Sequence, residues 1–114
     1  EGVANQIRER ITGLKSQGMK RLVLDLRGNG GGLMNEAVNI VSLFVPKGSL
    51  VVSSKGNSAD SKKEYHTTTA PLDTALPLIV MIDSGSASSA EIVAGALQDL
   101  DRAMVKAWYS PSVL

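Results

Sequence analysis

Apolar and polar positions along the 114-residue chain change period several times, and each change marks an element. Val3, Ile7, Ile11 and Leu14 recur at helical steps, with Arg8, Glu9, Arg10 and Lys15 on the other faces. This is one stripe of an amphipathic helix, and Gly18 is its stop. Arg21 to Leu26 is almost continuously apolar and reads as a buried strand. A glycine-rich loop follows, then a second helix from Met34 or Asn35, rich in Ala37, Val38, Ile40, Val41 and Phe44 and ended by Pro46 and Gly48. Leu50 to Ser54 reads as a strand, residues 55–63 as a polar loop, and Glu64 to Thr69 as the returning strand, with Tyr65, Thr67 and Thr69 on one side. Pro77 to Asp83 is the clearest strand. A small-residue turn, Ser84 to Ser89, leads into a helix over Ala90 to Leu100, and Ala103 to Val105 is a last short strand. Strands alternating with helices predict an α/β sandwich with parallel strands.

Composition narrows the possibilities. The chain is 43% hydrophobic and 20% charged, the balance of a globular domain, and its length suits one domain. Its net charge of +1 offers no surplus to neutralise phosphates, so no nucleic-acid partner is expected. Aromatic residues make up only 4%, too few for a base-stacking platform. With no Cys, disulfides, thiolate nucleophiles and cysteine metal sites are excluded, and neither cofactor nor metal is expected. The N-terminus, Glu1-Gly2-Val3, shows no secretion-signal pattern. No apolar run approaches the roughly 20 residues of a membrane helix, so the sequence predicts a soluble chain.

Two segments carry candidate chemistry. Each puts small, flexible residues between the end of a buried strand and the start of a helix, where main-chain N–H groups and the helix dipole favour negative charge. The first is Arg27-Gly28-Asn29-Gly30-Gly31-Gly32. It fails the dinucleotide fingerprint in both registers, since Leu33 or Asn35 stands where a third Gly is needed, and no Gly-Lys-Ser/Thr follows for a phosphate loop. A plain strand-to-helix turn accounts for one or two of its glycines. Four glycines suit a loop whose backbone must approach a ligand. The second is Ser84-Gly85-Ser86-Ala87-Ser88-Ser89. The Gly-x-Ser-x-Gly elbow is absent, and so is Ser-x-x-Lys. A Ser-His-Asp triad would have to use His66, the one His, which sits in a polar strand-like stretch. Ser86, Ser88 and Ser89 can also be read as helix caps, and Glu91, three residues after Ser88, completes a capping box.

Together the two segments resemble the signature regions of the carboxyl-terminal processing peptidases, the tail-specific proteases of serine peptidase family S41. Leu22-Val-Leu-Asp-Leu-Arg-Gly-Asn-Gly-Gly-Gly-Leu33 is similar to their strand and glycine loop. Asn35 to Val38 and Leu43 to Gly48 resemble the helix that follows and its exit. Gly85 to Asp99 resembles the nucleophile segment, usually Gly-Ser-Ala-Ser-Ala-Ser-Glu. The likeness spans residues 3–105. It implies an α/β fold like that of the Clp-protease and crotonase superfamily, with a mostly parallel sheet and flanking helices, and residues 1–114 as a partial catalytic core. It also implies a serine endopeptidase with a Ser-Lys dyad, acting near the C-termini of protein or peptide substrates. On this alignment the nucleophile is Ser88, with Ser89 as a neighbouring hydroxyl because the usual Ala-Ser is swapped to Ser89-Ala90. The oxyanion donors are the N–H of Ser89 and an amide of Gly30 or Gly31. The full-length protein is expected in the bacterial periplasm or cell envelope.

The chain departs from the family pattern at its end. Counting from Ser88 to the place of the family's base Lys lands on Val113, and residues 106–114 show none of the usual Phe-Gly-Lys-Gly loop. Lys106 falls where the family has a strand residue. The strand expected before Val3 and the PDZ domain that commonly precedes the core do not appear. The expectation is therefore a core that is inactive alone. An alternative is a non-catalytic binding module on the same scaffold, and a more distant one is a nucleotide- or acyl-CoA-binding domain. Exposed sheet edges would suit a homodimer.

Overall fold

A computed structural model describes residues 2–29, 34–54 and 63–108. The elements are α1 (Val3–Ser16), β1 (Leu22–Asp25), α2 (Met34–Ser42), β2 (Leu50–Ser54), β3 (Lys63–His66), β4 (Leu78–Asp83), α3 (Ser89–Asp99) and β5 (Met104–Trp108). β1, β4 and β5 form a parallel sheet in that order, and β2 and β3 form a separate antiparallel pair. α3 packs against α2 and touches β2, β4 and β5, so it lies at the centre of the domain. The α/β architecture with a mostly parallel sheet is the one the sequence predicts.

The core follows from the helical stripes. Ile11 of α1, Val41 of α2, and Val93 and Leu97 of α3 are fully buried with Val80 of β4 and the Leu43-Phe44-Val45 exit from α2. α2 stops at Ser42, earlier than its apolar pattern extends. The chain then tightens into i→i+3 turns, Leu43 N–H to Ile40 O and Phe44 N–H to Val41 O, which present three consecutive apolar side chains inward before Pro46.

α1 carries no acidic residue in its first turn. Glu36 of α2 performs that role, its two carboxylate oxygens accepting from the N–H groups of Gly2 (3.2 Å) and Val3 (3.1 Å).

Three strand expectations need correction. β1 is buried on one face only. Leu22 and Leu24 turn toward the helices, whereas Val23 is 54% exposed, and Ile79 (37%) and Met104 (58%) share its side of the sheet. Helices flank a single face of this sheet among the described residues, so the apolar run follows the composition of a two-sided parallel sheet without its cover. β3 ends at His66, because the regular ladder breaks at Thr67: its hydroxyl takes the Ser49 N–H and donates to Pro46 O, while Thr67 N–H still donates to Ser49 O and Thr67 O accepts from Gly48 N–H. Thr67 is buried as the alternation requires, but Thr69 lies exposed beyond it. β5 runs on to Trp108, with Lys106, Ala107 and Trp108 paired to Met81, Ile82 and Asp83. No helix among the described residues is long and apolar enough to cross a membrane.

Polar ties fix the connector between the hairpin and β4. Asp73 Oδ1 accepts from the N–H groups of Ala75 and Leu76 at 2.8 and 2.9 Å, and Oδ2 pairs with Lys15 Nζ at 2.6 Å. Arg102 Nε donates to Phe44 O at 2.7 Å, Nη2 donates to Asp73 O at 3.2 Å, and the guanidinium sits 5.7 Å over the Phe44 ring. The Lys15 hydrogen bond, with help from the two amides, lowers the Asp73 carboxyl from 3.8 to about 2. A folded-state value below the unfolded one contributes stability that is present above pH 4 and lost as pH falls through about 2. Asp73→Asn should therefore lower stability at pH 7 by about 1 kcal/mol, after allowing for solvent screening. It should also flatten the fall in denaturation midpoint between about pH 4 and pH 2, measured by urea titration.

Candidate active site

The parallel pairing of β1 and β4 aligns Leu22 with Leu78 and Asp25 with Met81, so both strands end at the same side of the sheet. The ladder continues one residue further through Leu26 N–H to Met81 O at 2.8 Å. Beyond it the start of the glycine loop and the small-residue turn run side by side. Their approach is close: a Cβ built on Gly85 would stand 3.2 Å from the Gly28 Cα. Gly28 itself has φ +72°, a conformation that L side chains rarely adopt.

Asp83, the last residue of β4, joins the two segments. Its Oδ1 accepts from Gly28 N–H at 2.8 Å and Gly85 N–H at 2.9 Å. Ser86 makes a second tie, its buried hydroxyl donating to Leu26 O at 2.7 Å and accepting from Asp83 N–H at 3.0 Å. A third is main-chain only, Ala87 N–H to Asn29 O at 3.0 Å. The Gly28 amide, first among several donors, holds the Asp83 carboxyl below its usual range. Nearby, Arg27 grips Asp25 through Nε and Nη2, both at 2.9 Å. That hydrogen bond lowers the Asp25 carboxyl and raises the Arg27 guanidinium.

Ser88 directly precedes α3 and is exposed at φ 54°, ψ −118°, one of two non-Gly residues with positive φ among the described residues. For a side chain with a Cβ this conformation costs of order 1–3 kcal/mol and persists only where the surroundings impose it. Glu91 helps to impose it: its Oε1 accepts from Ser88 N–H at 3.1 Å, the contact expected of a capping box. The strained turn lifts the Ser88 side chain at the start of a helix, beside the glycine loop. Ser89 is the first residue of α3 and is buried.

The other expected residues fall as follows. Gly30 and Gly31 lie outside the described residues. Lys106 is exposed on β5, opposite Met81 and two positions before the residue paired with Asp83, so it sits along the sheet and not at the end where Ser88 stands. His66 is on β3, in the other sheet, exposed and 3.8 Å from Glu64 Oε1. No group of three or more His, Asp or Glu among the described residues could hold a metal ion. Reading the sequence missed Asp83, taken only as a strand end, and treated Ser86 as a cap. The order Asp-x-Gly, in which a carboxylate folds back on the amide two residues on, is the signal that could have found the first.

Gly enters positive φ without strain, so Ser88→Gly should be more stable than Ser88→Ala by about 1 kcal/mol. Denaturant melts of the two variants check this, and equal midpoints would show that the turn is unstrained.

The peptidase family S41 model matches residues 1–106. The chain is 39% identical over 95 residues to a chloroplastic C-terminal processing peptidase of Tetradesmus obliquus, covering 83% of this chain and 20% of the relative. It is 42% identical over 87 residues to a carboxy-terminal-processing protease of Bartonella bacilliformis, covering 76% of this chain and 20% of the relative. Among solved structures, the photosystem II D1 C-terminal processing protease superposes with a TM-score of 0.79 at 34% identity, over 92% of this chain and 27% of that one. The chain thus spans about a fifth of the length of the curated relatives it matches. With its parallel sheet, glycine loop and strained serine turn, the chain belongs to peptidase family S41.

Proposed function

We propose that this chain is the part of a C-terminal processing serine endopeptidase that carries the nucleophile, Ser88, and the oxyanion loop. One observation carries the reading: Ser88 is held at positive φ at the start of α3, while the turn before it is tied to the glycine loop at the carboxyl ends of two parallel strands. A serine hydroxyl in that position attacks a peptide carbonyl once a base takes its proton. The carbonyl oxygen becomes an oxyanion, received by the N–H of Ser89 and an amide of Gly30 or Gly31. Each such donor is worth about 100- to 1000-fold in turnover. The same negative charge is favoured by the α3 N-terminus.

The base Lys belongs to a loop outside residues 1–114; Lys106 lies beside Met81 on β5 and His66 on the separate hairpin. The substrates are C-terminal segments of proteins, and the full-length protein works in the bacterial periplasm or cell envelope. A homodimer formed through exposed sheet edges belongs to the same reading; among the described residues β1 and β5 are the edges of the parallel sheet.

The full-length protein should cleave an unfolded protein substrate, and Ser88→Ala should abolish this by about 1000-fold or more. Residues 1–114 alone should show no cleavage. Undiminished cleavage by the Ser88→Ala full-length protein, followed by gel and mass spectrometry, would refute the assignment.

A further inference from the structure

We propose that Asp83 is a positioning residue that sets the spacing between the glycine loop and the Ser88 turn. The inference rests on Ser88 being the nucleophile, and it deepens that reading by naming what holds the oxyanion loop in place.

Three ties cross between the two segments: Ser86 Oγ to Leu26 O, Gly28 N–H to Asp83 Oδ1, and Ala87 N–H to Asn29 O. The last is main-chain and survives any side-chain change. The other two run through Asp83 and Ser86, which also hold each other, since Asp83 N–H donates to Ser86 Oγ. Asp83 is the more central, because one oxygen, Oδ1, takes both Gly28 and Gly85 amides. The carboxylate therefore fixes two main-chain segments with a single atom, where a Cβ on Gly85 would come within 3.2 Å of the Gly28 Cα. Without it, the Gly28 amide loses its Asp83 acceptor, two residues before Gly30. Ser88 and the Ser89 N–H follow the junction on one segment, and the glycines proposed as the second donor follow Gly28 in sequence on the other. A misplacement of about 1 Å there costs about 100-fold in rate.

The charge is not what the geometry needs. An Asn at position 83 offers the same Oδ1 acceptor to both amides. A Glu keeps the charge but pushes its oxygens outward by one methylene.

The test uses the full-length protein. Asp83→Ala should lower kcat about 100-fold while KM changes less than about threefold, since substrate binding elsewhere is untouched. Asp83→Asn should recover kcat to within about fivefold of the parent, and Asp83→Glu should not. A carboxylate that merely ended β4 would give no such ordering. Amide hydrogen exchange of a peptide spanning residues 26–29 supplies a readout independent of cleavage, and should quicken about tenfold in Asp83→Ala and not in Asp83→Asn. If Asp83→Ala does not fold, the Asn and Glu variants carry the comparison. Equal kcat losses in Asn and Glu, or unchanged exchange in the Ala variant, would overturn the proposal. If the parent shows no Ser88-dependent cleavage, the functional reading fails, and exchange alone decides whether Asp83 ties the loops.

Discussion

Everything at the candidate site depends on β1 and β4 being parallel and in register. Leu22 faces Leu78 and the ladder runs without slip to Asp25 and Met81, so both strands deliver their exits to one end of the sheet. A slip of one residue would turn Leu22 and Leu24 to the wrong face and carry Gly28 away from Asp83. Burial of Leu78 and Val80 under α3 resists that slip, and the Leu26–Met81 hydrogen bond closes the ladder just before the loops begin. The core and the site are thus one arrangement: the packing that buries β4 also determines where Ser88 stands.

The site uses backbone where many enzymes use side chains. Gly28, Gly85, Ala87 and Asn29 contribute N–H or C=O groups, while Asp83 and Ser86 contribute the two side chains that organise them. Such an assembly leaves little room for a side chain at Gly85, where an added Cβ would stand 3.2 Å from the Gly28 Cα. Strain at Ser88 is balanced locally by the Glu91 contact and the helix it starts. The arrangement leaves Ser88 exposed while its neighbours Ser86 and Ser89 are buried.

What could be read from residues alone was whatever is local or periodic. The stripes of α1 and α3, the four glycines after β1 and the Ser88–Glu91 box are signals within one turn or one strand. They located every helix and the strained serine. Contacts between distant segments left no such trace. Nothing in the spacing of Asp83 reveals that it meets Gly28, 55 residues away in sequence, nor that Arg102 reaches back to Phe44 O. The one-sided exposure of β1 was also hidden, because a Val at position 23 reads the same whether or not a layer covers it. β5 ran past its expected end because pairing with β4, and not the propensity of Lys106, decides where it stops.

The Glu36 contact with α1 has a bearing on how the domain assembles. α1 begins at a glycine in a left-handed conformation with no side-chain cap of its own, and the acceptor for its first amides comes from a helix more than 30 residues along the chain. A helix of this length is marginal in isolation. Its first turn gains protein acceptors from α2, which ties the order of the N-terminal helix to a long-range contact. α1 thus draws part of the stability of its first turn from the domain around it, and loosening α2 would loosen that turn with it.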